Sequence, residues 1–141
     1  MPEDRIHQFP LVVEESHLDA LNHVNNARFF EFFEAGRMAW YYEVGLIDRC
    51  RESVHPRCDT VVVNVNCDFL SECYLGEELT VQTVPERVGR KSFAVSQTLL
   101  KQTGAVAAKA VVTSVVMDLD VRRAIVLPQS VPPLFQTQPT S

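Results

Sequence analysis

The chain lacks the features that mark several common classes of protein. No apolar run approaches the ~18–20 residues needed to span a bilayer. Its four cysteines never form a C-x-x-C pair, which argues against a zinc knuckle or a redox dithiol. Basic side chains are few, 13 against 18 acidic ones, and the net charge is -5. Because nucleic acids and anionic membranes both attract basic faces, we predict neither as a partner.

The sequence also lacks a recognisable secretion signal and a metal-binding pattern. Residues 1–5 contain a proline and two acids where a signal peptide needs a basic start and an apolar run. We therefore expect a cytoplasmic protein whose cysteines are free thiols. His17 and His23 lack a compact third ligand, so no metal site is predicted.

What the sequence does contain is one globular core. A chain of 141 residues with 46% hydrophobic residues fits a single domain over residues 1–141. Helical spacing of apolar residues predicts a largely buried helix over residues 27–44, with Asn25 or Asn26 capping its start and Gly45 ending it. Strand patterns lie at residues 9–14, 60–69, 78–85, 92–100 and 106–118, with a loop at 49–57. The proline-rich tail, residues 128–141, is predicted to be extended or mobile.

This order of elements predicts an α+β fold with an antiparallel sheet. A helix that is apolar on most sides needs a sheet that curls around it. One small sheet leaves edges uncovered, so we expect a homo-oligomer, either a dimer or a tetramer.

The segment before the predicted helix carries the candidate chemistry. Residues 17–26 place a carboxylate, Asp19, together with His23, Asn25 and Asn26 in a loop that opens the helix. The first turn of a helix presents unpaired N–H groups at the positive end of its dipole, which suits a polarised carbonyl. A carboxylate beside such a site can attack an acyl group directly or through water.

These residues resemble the signature of the hotdog-fold acyl-CoA thioesterases of the 4-hydroxybenzoyl-CoA thioesterase-like family. The match consists of Asp19, the run His23-Val24-Asn25-Asn26, and an aromatic helix that carries Glu34 and Arg37. The family's first loop acid is replaced by His17 here. Further matches to the family's strands extend the resemblance over nearly the whole chain.

The resemblance implies a five-stranded antiparallel sheet wrapped around one long central helix, with an active site at a dimer interface. Asp19 would be the nucleophile or the general base, and the backbone N–H of Asn26 would polarise the thioester carbonyl. His23 would orient the loop or touch the substrate. We expect substrate contacts from Asn25, Thr60 and Phe33. No cofactor is implied, because coenzyme A enters as part of the acyl-CoA substrate.

An acidic protein that binds coenzyme A must place positive charge locally, and the resemblance favours Arg90 and Lys91 for its phosphates. Glu31 and Glu34 on the helix rival Asp19 as the catalytic acid. An i, i+3 salt link between Glu34 and Arg37 is the alternative role for the second of them. The acyl group stays open, as does a carrier-protein thioester in place of CoA. Two other hypotheses are a hotdog enoyl-CoA hydratase or dehydratase and a non-catalytic acyl-CoA-binding dimer.

Overall fold

The computed structural model describes residues 6–53 and 56–135. In chain order the elements are β1 (His7–Val12), α1 (Asn26–Val44), α2 (Leu46–Ser53), β2 (Cys58–Phe69), β3 (Glu78–Val88), β4 (Ser92–Lys101), β5 (Val106–Asp118) and β6 (Arg123–Ala124). Two short 3-10 turns, Glu15–His17 and Pro132–Leu134, lie in the connections.

The long strands form one antiparallel sheet in the order β1-β3-β4-β5-β2, and the two-residue β6 pairs with the end of β5. Strand residues that alternate along β3, β4 and β5 face α1 and are buried. The predicted α+β hotdog fold, a five-stranded antiparallel sheet around a central helix, is confirmed, with β6 as a short addition.

Helix α1 begins and ends where its sequence predicts. The Asn25 side-chain oxygen accepts a hydrogen bond from the Ala27 N–H at 2.7 Å, and Gly45 adopts a left-handed φ of 69° at the C-cap. The helix crosses the sheet closely at Gly36, where an added Cβ would lie 2.4 Å from Val81 Cγ1. Only a residue without a side chain permits this approach.

Aromatic rings fill the core between α1 and the sheet at the C-terminal end of the helix. Trp40 and Tyr41 pack edge-on against Phe135 and Phe93, with ring centroids 5.6 and 5.7 Å apart. Because Phe135 belongs to this cluster, the segment that leads up to it is part of the core.

Two sequence predictions about connections need correction. The predicted loop at 49–57 is helical as far as Ser53, because α2 buries Leu46 and Cys50 at its inner face. The predicted mobile tail is packed as far as residue 135, with Val131 and Phe135 buried. Residues 136–141 lie outside the described part of the chain.

No helix among the described residues is both long and apolar enough to cross a membrane. The longest, α1, has Arg28, Glu31, Glu34 and Arg37 within its first twelve residues.

Candidate active site

The loop that precedes α1 is a tight turn, closed by hydrogen bonds between its own backbone groups. Leu18 and Val24 form an antiparallel bridge, and the Asp19 N–H donates to the His23 carbonyl at 3.1 Å. The Asn22 N–H donates back to the Asp19 carbonyl at 3.0 Å, and Asn22 takes a positive φ of 63°. Asparagine tolerates this conformation better than most residues. The turn therefore holds Asp19 and His23 side by side at its base.

The Asp19 carboxylate is oriented by its own loop. Its Oδ1 accepts a hydrogen bond from the Leu21 N–H at 2.8 Å, which is an Asx turn. The residue is only partly buried. Its carboxylate is thus fixed in direction while it stays accessible from outside.

A cavity of about 250 Å³ lies beside the start of α1. His23 and Asn26 contribute polar groups to its wall, and Phe29 and Phe69 contribute stacked rings with centroids 5.7 Å apart. Ser71 and Glu72, from the segment after β2, complete the polar side. Aromatic rings beside a few polar groups are typical of small-molecule sites.

The helix N-terminus offers a hydrogen-bond donor at this cavity. Asn25 uses its side chain to satisfy the Ala27 N–H, and its carbonyl accepts from the Arg28 N–H at 2.9 Å. Within the described residues the Asn26 N–H has no acceptor. An unpaired amide in the first turn can stabilise negative charge on a carbonyl oxygen.

Three other predicted site residues lie at the opposite end of the sheet. Thr60 is near the start of β2, where it pairs with Val116, and Arg90 and Lys91 are exposed in the β3–β4 hairpin. Strand β4 begins after that hairpin opposite Val115, so all three lie at one end. Phe69, at the cavity, lies nine positions after Thr60 along β2, which is roughly 30 Å at ~3.3 Å per residue. One chain does not bring the two groups together.

Phe33, from which we expect a substrate contact, lies away from the cavity. Its side chain is 1% exposed in the core under α1, and it does not line the cavity. Of the helix phenylalanines, Phe29 is the one at the cavity wall. Helical phase explains this position, because α1 turns Phe33 towards the sheet.

The rival acids on α1 have other surroundings. Both carboxylate oxygens of Glu31 accept from Arg28 Nη1, at 2.9 and 2.8 Å, on the exposed surface. Glu34 is also exposed. The expected link from Glu34 to Arg37 does not form, because the buried Arg37 donates instead to Gln97 Oε1 at 3.2 Å.

His17, the residue that stands in place of the family's first acid, has a structural role. Its Nδ1 accepts from the Glu14 N–H at 2.9 Å, and its ring packs edge-on against Phe32 with centroids 4.9 Å apart. This contact anchors the front of the loop to α1.

The four cysteines are all free thiols, as predicted. Burial raises the pKa of Cys50 and of Cys73 to about 11. Thiolate is the reactive form of cysteine, so these two side chains are inert packing groups at neutral pH.

Sequence reasoning missed Phe69, Ser71 and Glu72 as cavity residues. They lie more than forty positions after the loop, and a backbone bond from the Val24 N–H to the Cys73 carbonyl at 2.9 Å brings the two segments together. Local sequence patterns contain no signal for such a long-range contact.

Comparison with known proteins agrees with this architecture. Residues 13–135 match the family model of the thioesterase-like superfamily. The chain is 32% identical over 121 residues to the long-chain acyl-CoA thioesterase FadM of Escherichia coli K12, covering 85% of this chain and 89% of that protein.

Solved structures show the same fold. The Staphylococcus aureus protein SAV2348, solved in complex with CoA, superposes with a TM-score of 0.81 at 22% identity, covering 96% of this chain and 89% of that one. The probable thioesterase YbaW of Escherichia coli superposes with a TM-score of 0.73 at 26% identity, covering 92% and 99%. The chain therefore belongs to the thioesterase-like superfamily, and it is a thioester hydrolase with a hotdog fold.

Proposed function

We propose that this protein is an acyl-CoA thioesterase that hydrolyses its substrate to the free acid and CoA. The observation that carries the proposal is Asn26, the first residue of α1, which lines the cavity and whose N–H has no acceptor within the described residues. The relative FadM supports the substrate class, since its name states long-chain acyl-CoA thioesterase activity. SAV2348, solved with CoA bound, supports the leaving group.

The reaction needs a polarised carbonyl and an attacking oxygen. The Asn26 N–H would donate to the thioester carbonyl oxygen and stabilise the negative charge that develops there. Asp19, fixed by its Asx turn, would attack the carbonyl carbon itself or take a proton from the attacking water. The carbon–sulfur bond then breaks, and CoA leaves as a thiolate that takes up a proton. If Asp19 attacks, the product of this step is an acyl–Asp19 anhydride, which water then hydrolyses to release the acid and restore the carboxylate. If water attacks, its oxygen enters the acid directly, and in both routes a proton from that water ends on the CoA thiolate.

We further propose that the site is completed by a second copy of the chain. Strand β2 pairs only with β5 among the described strands, so its other edge is unpaired there. Val62, Val63 and Val65 near its middle are between 37% and 57% exposed. An exposed apolar edge strand favours pairing with another strand.

An antiparallel pairing of two β2 strands about this middle would bring opposite ends of the two sheets together. The start of β2 in one copy would lie next to the end of β2 in its partner. Thr60 and the Arg90–Lys91 hairpin of one copy would then approach the Asp19 loop of the other. On α1, Phe30, Met38 and Tyr42 are exposed at helical spacing, which supplies more apolar area for such a dimer.

Within this arrangement Arg90 and Lys91 would contact the phosphates of CoA. Arginine offers a forked pair of donors and lysine a point charge, and both side chains are exposed. Asn25 and Thr60 would border the substrate. We expect a homodimer or a tetramer of such dimers, acting in the cytoplasm.

A thiol-release assay over acyl-CoAs from short to long, with aromatic examples, tests the proposed activity. Wild type should hydrolyse at least one, and the Asp19→Asn variant should lose most of that rate. An enoyl-CoA hydration assay runs in parallel. Hydration without thiol release would favour the hydratase hypothesis instead. Binding of a non-hydrolysable analogue, with no turnover of any thioester, would favour the non-catalytic dimer.

A further inference from the structure

A chain of polar side chains leads from the β2–β3 connection to His23. Tyr74 OH donates to Glu72 Oε2 at 2.6 Å, and the other Glu72 oxygen lies 3.9 Å from His23 Nε2. The family resemblance assigns no role to Glu72, and it covers Tyr74 only as part of the turn after β2. His23 and Glu72 both line the cavity at the start of α1.

Tyr74 is the outermost of these three side chains, and two neighbouring residues interact with it. Its backbone N–H donates to Glu77 Oε1 at 2.7 Å. The Lys101 ammonium lies 5.6 Å from the centre of its ring and 3.4 Å from Glu77 Oε2. The hydrogen bond to Glu72 raises the pKa of Tyr74, so the hydroxyl stays protonated and remains a donor. Tyr74 is therefore a fixed support for the Glu72 carboxylate.

Each ring nitrogen of His23 faces an oxygen atom of a neighbouring residue. Its Nδ1 lies 3.4 Å from the Val24 carbonyl oxygen, and its Nε2 faces Glu72. The Val24 N–H donates to the Cys73 carbonyl at 2.9 Å, so the backbones that carry the two side chains are tied at this point. The side chain of His23 is 22% exposed, which leaves one edge open to a substrate.

We propose that Glu72, supported by Tyr74, is a positioning residue that holds the His23 imidazole at the cavity wall, where His23 contacts the reacting thioester. This inference rests on the proposed acyl-CoA hydrolysis, because it assigns His23 a contact with that substrate. Glu72 acts through His23 and has no separate contact with the reacting atoms. A ring held in one orientation costs little reorganisation when charge develops on the carbonyl.

A double-mutant cycle tests the assignment. Glu72→Gln should lower kcat about tenfold with KM within about twofold, as expected for an interaction made in the transition state. In a His23→Gln background the same change should have an effect below about twofold. Tyr74→Phe should reproduce part of the loss, and Glu78→Gln, an exposed acid at the start of β3, should have none.

The proposal is overturned if Glu72→Gln leaves kcat unchanged, or if its effect is equally large without His23. A second readout does not depend on turnover. Long-range ¹H–¹⁵N spectra should show the His23 ring signals displaced by Glu72→Gln and unmoved by Glu78→Gln. Unmoved signals in both variants would contradict the contact. If wild type hydrolyses no acyl-CoA, the proposed function fails, and displaced His23 signals would then leave the Glu72 contact standing without a catalytic role.

Discussion

The two ends of the sheet differ in what they contribute to the chemistry. At one end, a loop closed by its own hydrogen bonds fixes Asp19 and His23 just before α1, and His23 and Asn26 line a cavity with aromatic walls. At the other end, Arg90 and Lys91 project from a hairpin. The first end has oriented groups suited to breaking a bond, whereas the second has exposed positive charge suited to holding an anion. One chain keeps them a strand length apart, so an acyl-CoA that uses both must span two chains.

The largest expected effect lies at the cavity end. Asp19→Asn should reduce kcat about 100-fold or more, because the amide can neither attack the carbonyl nor accept a proton from water. Steady-state thiol release measures it. The control is Glu34→Gln, which removes the exposed rival acid on α1 and should keep most of the activity. The reverse ranking of the two variants would assign catalysis to the helix glutamate.

At the hairpin end we expect an effect on binding. The double variant Arg90→Ala/Lys91→Ala should raise KM about tenfold and leave kcat within about twofold, because it removes contacts that are equal in ground and transition states. Lys109→Ala, at an exposed cation near the start of β5, is the control. Raising the salt concentration should reduce the difference in KM between wild type and the double variant, because salt screens exposed charges. Equal KM values at low salt would remove the hairpin from the CoA site.

Between the two ends, the crossing of α1 over β3 sets how closely the helix lies on the sheet. Gly36→Ala should lower the free energy of unfolding by about 1–3 kcal/mol, since the new Cβ overlaps Val81. Gly45→Ala is the comparison: it meets no atom within 4 Å and is strained only by its positive φ, so about 1 kcal/mol is expected. Urea unfolding of both variants measures the two losses in free energy of unfolding. A larger loss for Gly45→Ala would show that α1 and β3 shift easily to accommodate the added methyl group.

The smallest effect concerns the cysteines, which take no part in either end's chemistry. Because burial raises the pKa of Cys50 and Cys73 to about 11, their thiolate fraction at pH 8 is small. Iodoacetamide at pH 8 should label both far more slowly in the folded protein than in urea, as followed by peptide mass spectrometry. Cys67, the one cysteine that is only partly buried, should react before them. Rapid labelling of Cys50 would contradict its placement.

The sequence predicted well those features that depend on local patterns. Asn25 and Gly45 cap the two ends of α1, as their chemistry dictates. Alternating apolar residues or short apolar and β-branched runs marked the five long strands, with β1 predicted two residues too late. The sequence predictions were wrong where tertiary contacts determine the structure. Helix α2 is short and charged, and its stability comes from burying Leu46 and Cys50. The first part of the tail, which was expected to be mobile, is held because Phe135 packs on Trp40.

The candidate site was predictable to the same extent. The loop with Asp19, His23 and Asn26 is contiguous in sequence, so local pattern is enough to group its residues. Glu72 could not be found in this way, because only the backbone bond between Val24 and Cys73 brings it to the loop. Glu34 was expected to pair with Arg37, but burial turned the guanidinium towards Gln97.

The claim that two chains build each site can be tested by complementation. Asp19→Asn is co-expressed with Arg90→Ala/Lys91→Ala under two affinity tags, and mixed oligomers are purified through both tags in turn. In a mixed dimer both defects fall in one site and the other site is intact, so about half of wild-type activity is expected at substrate concentrations below KM. If each chain forms its own site, the mixed dimer will be no more active than the mean of the two parent variants, and that result would contradict the account.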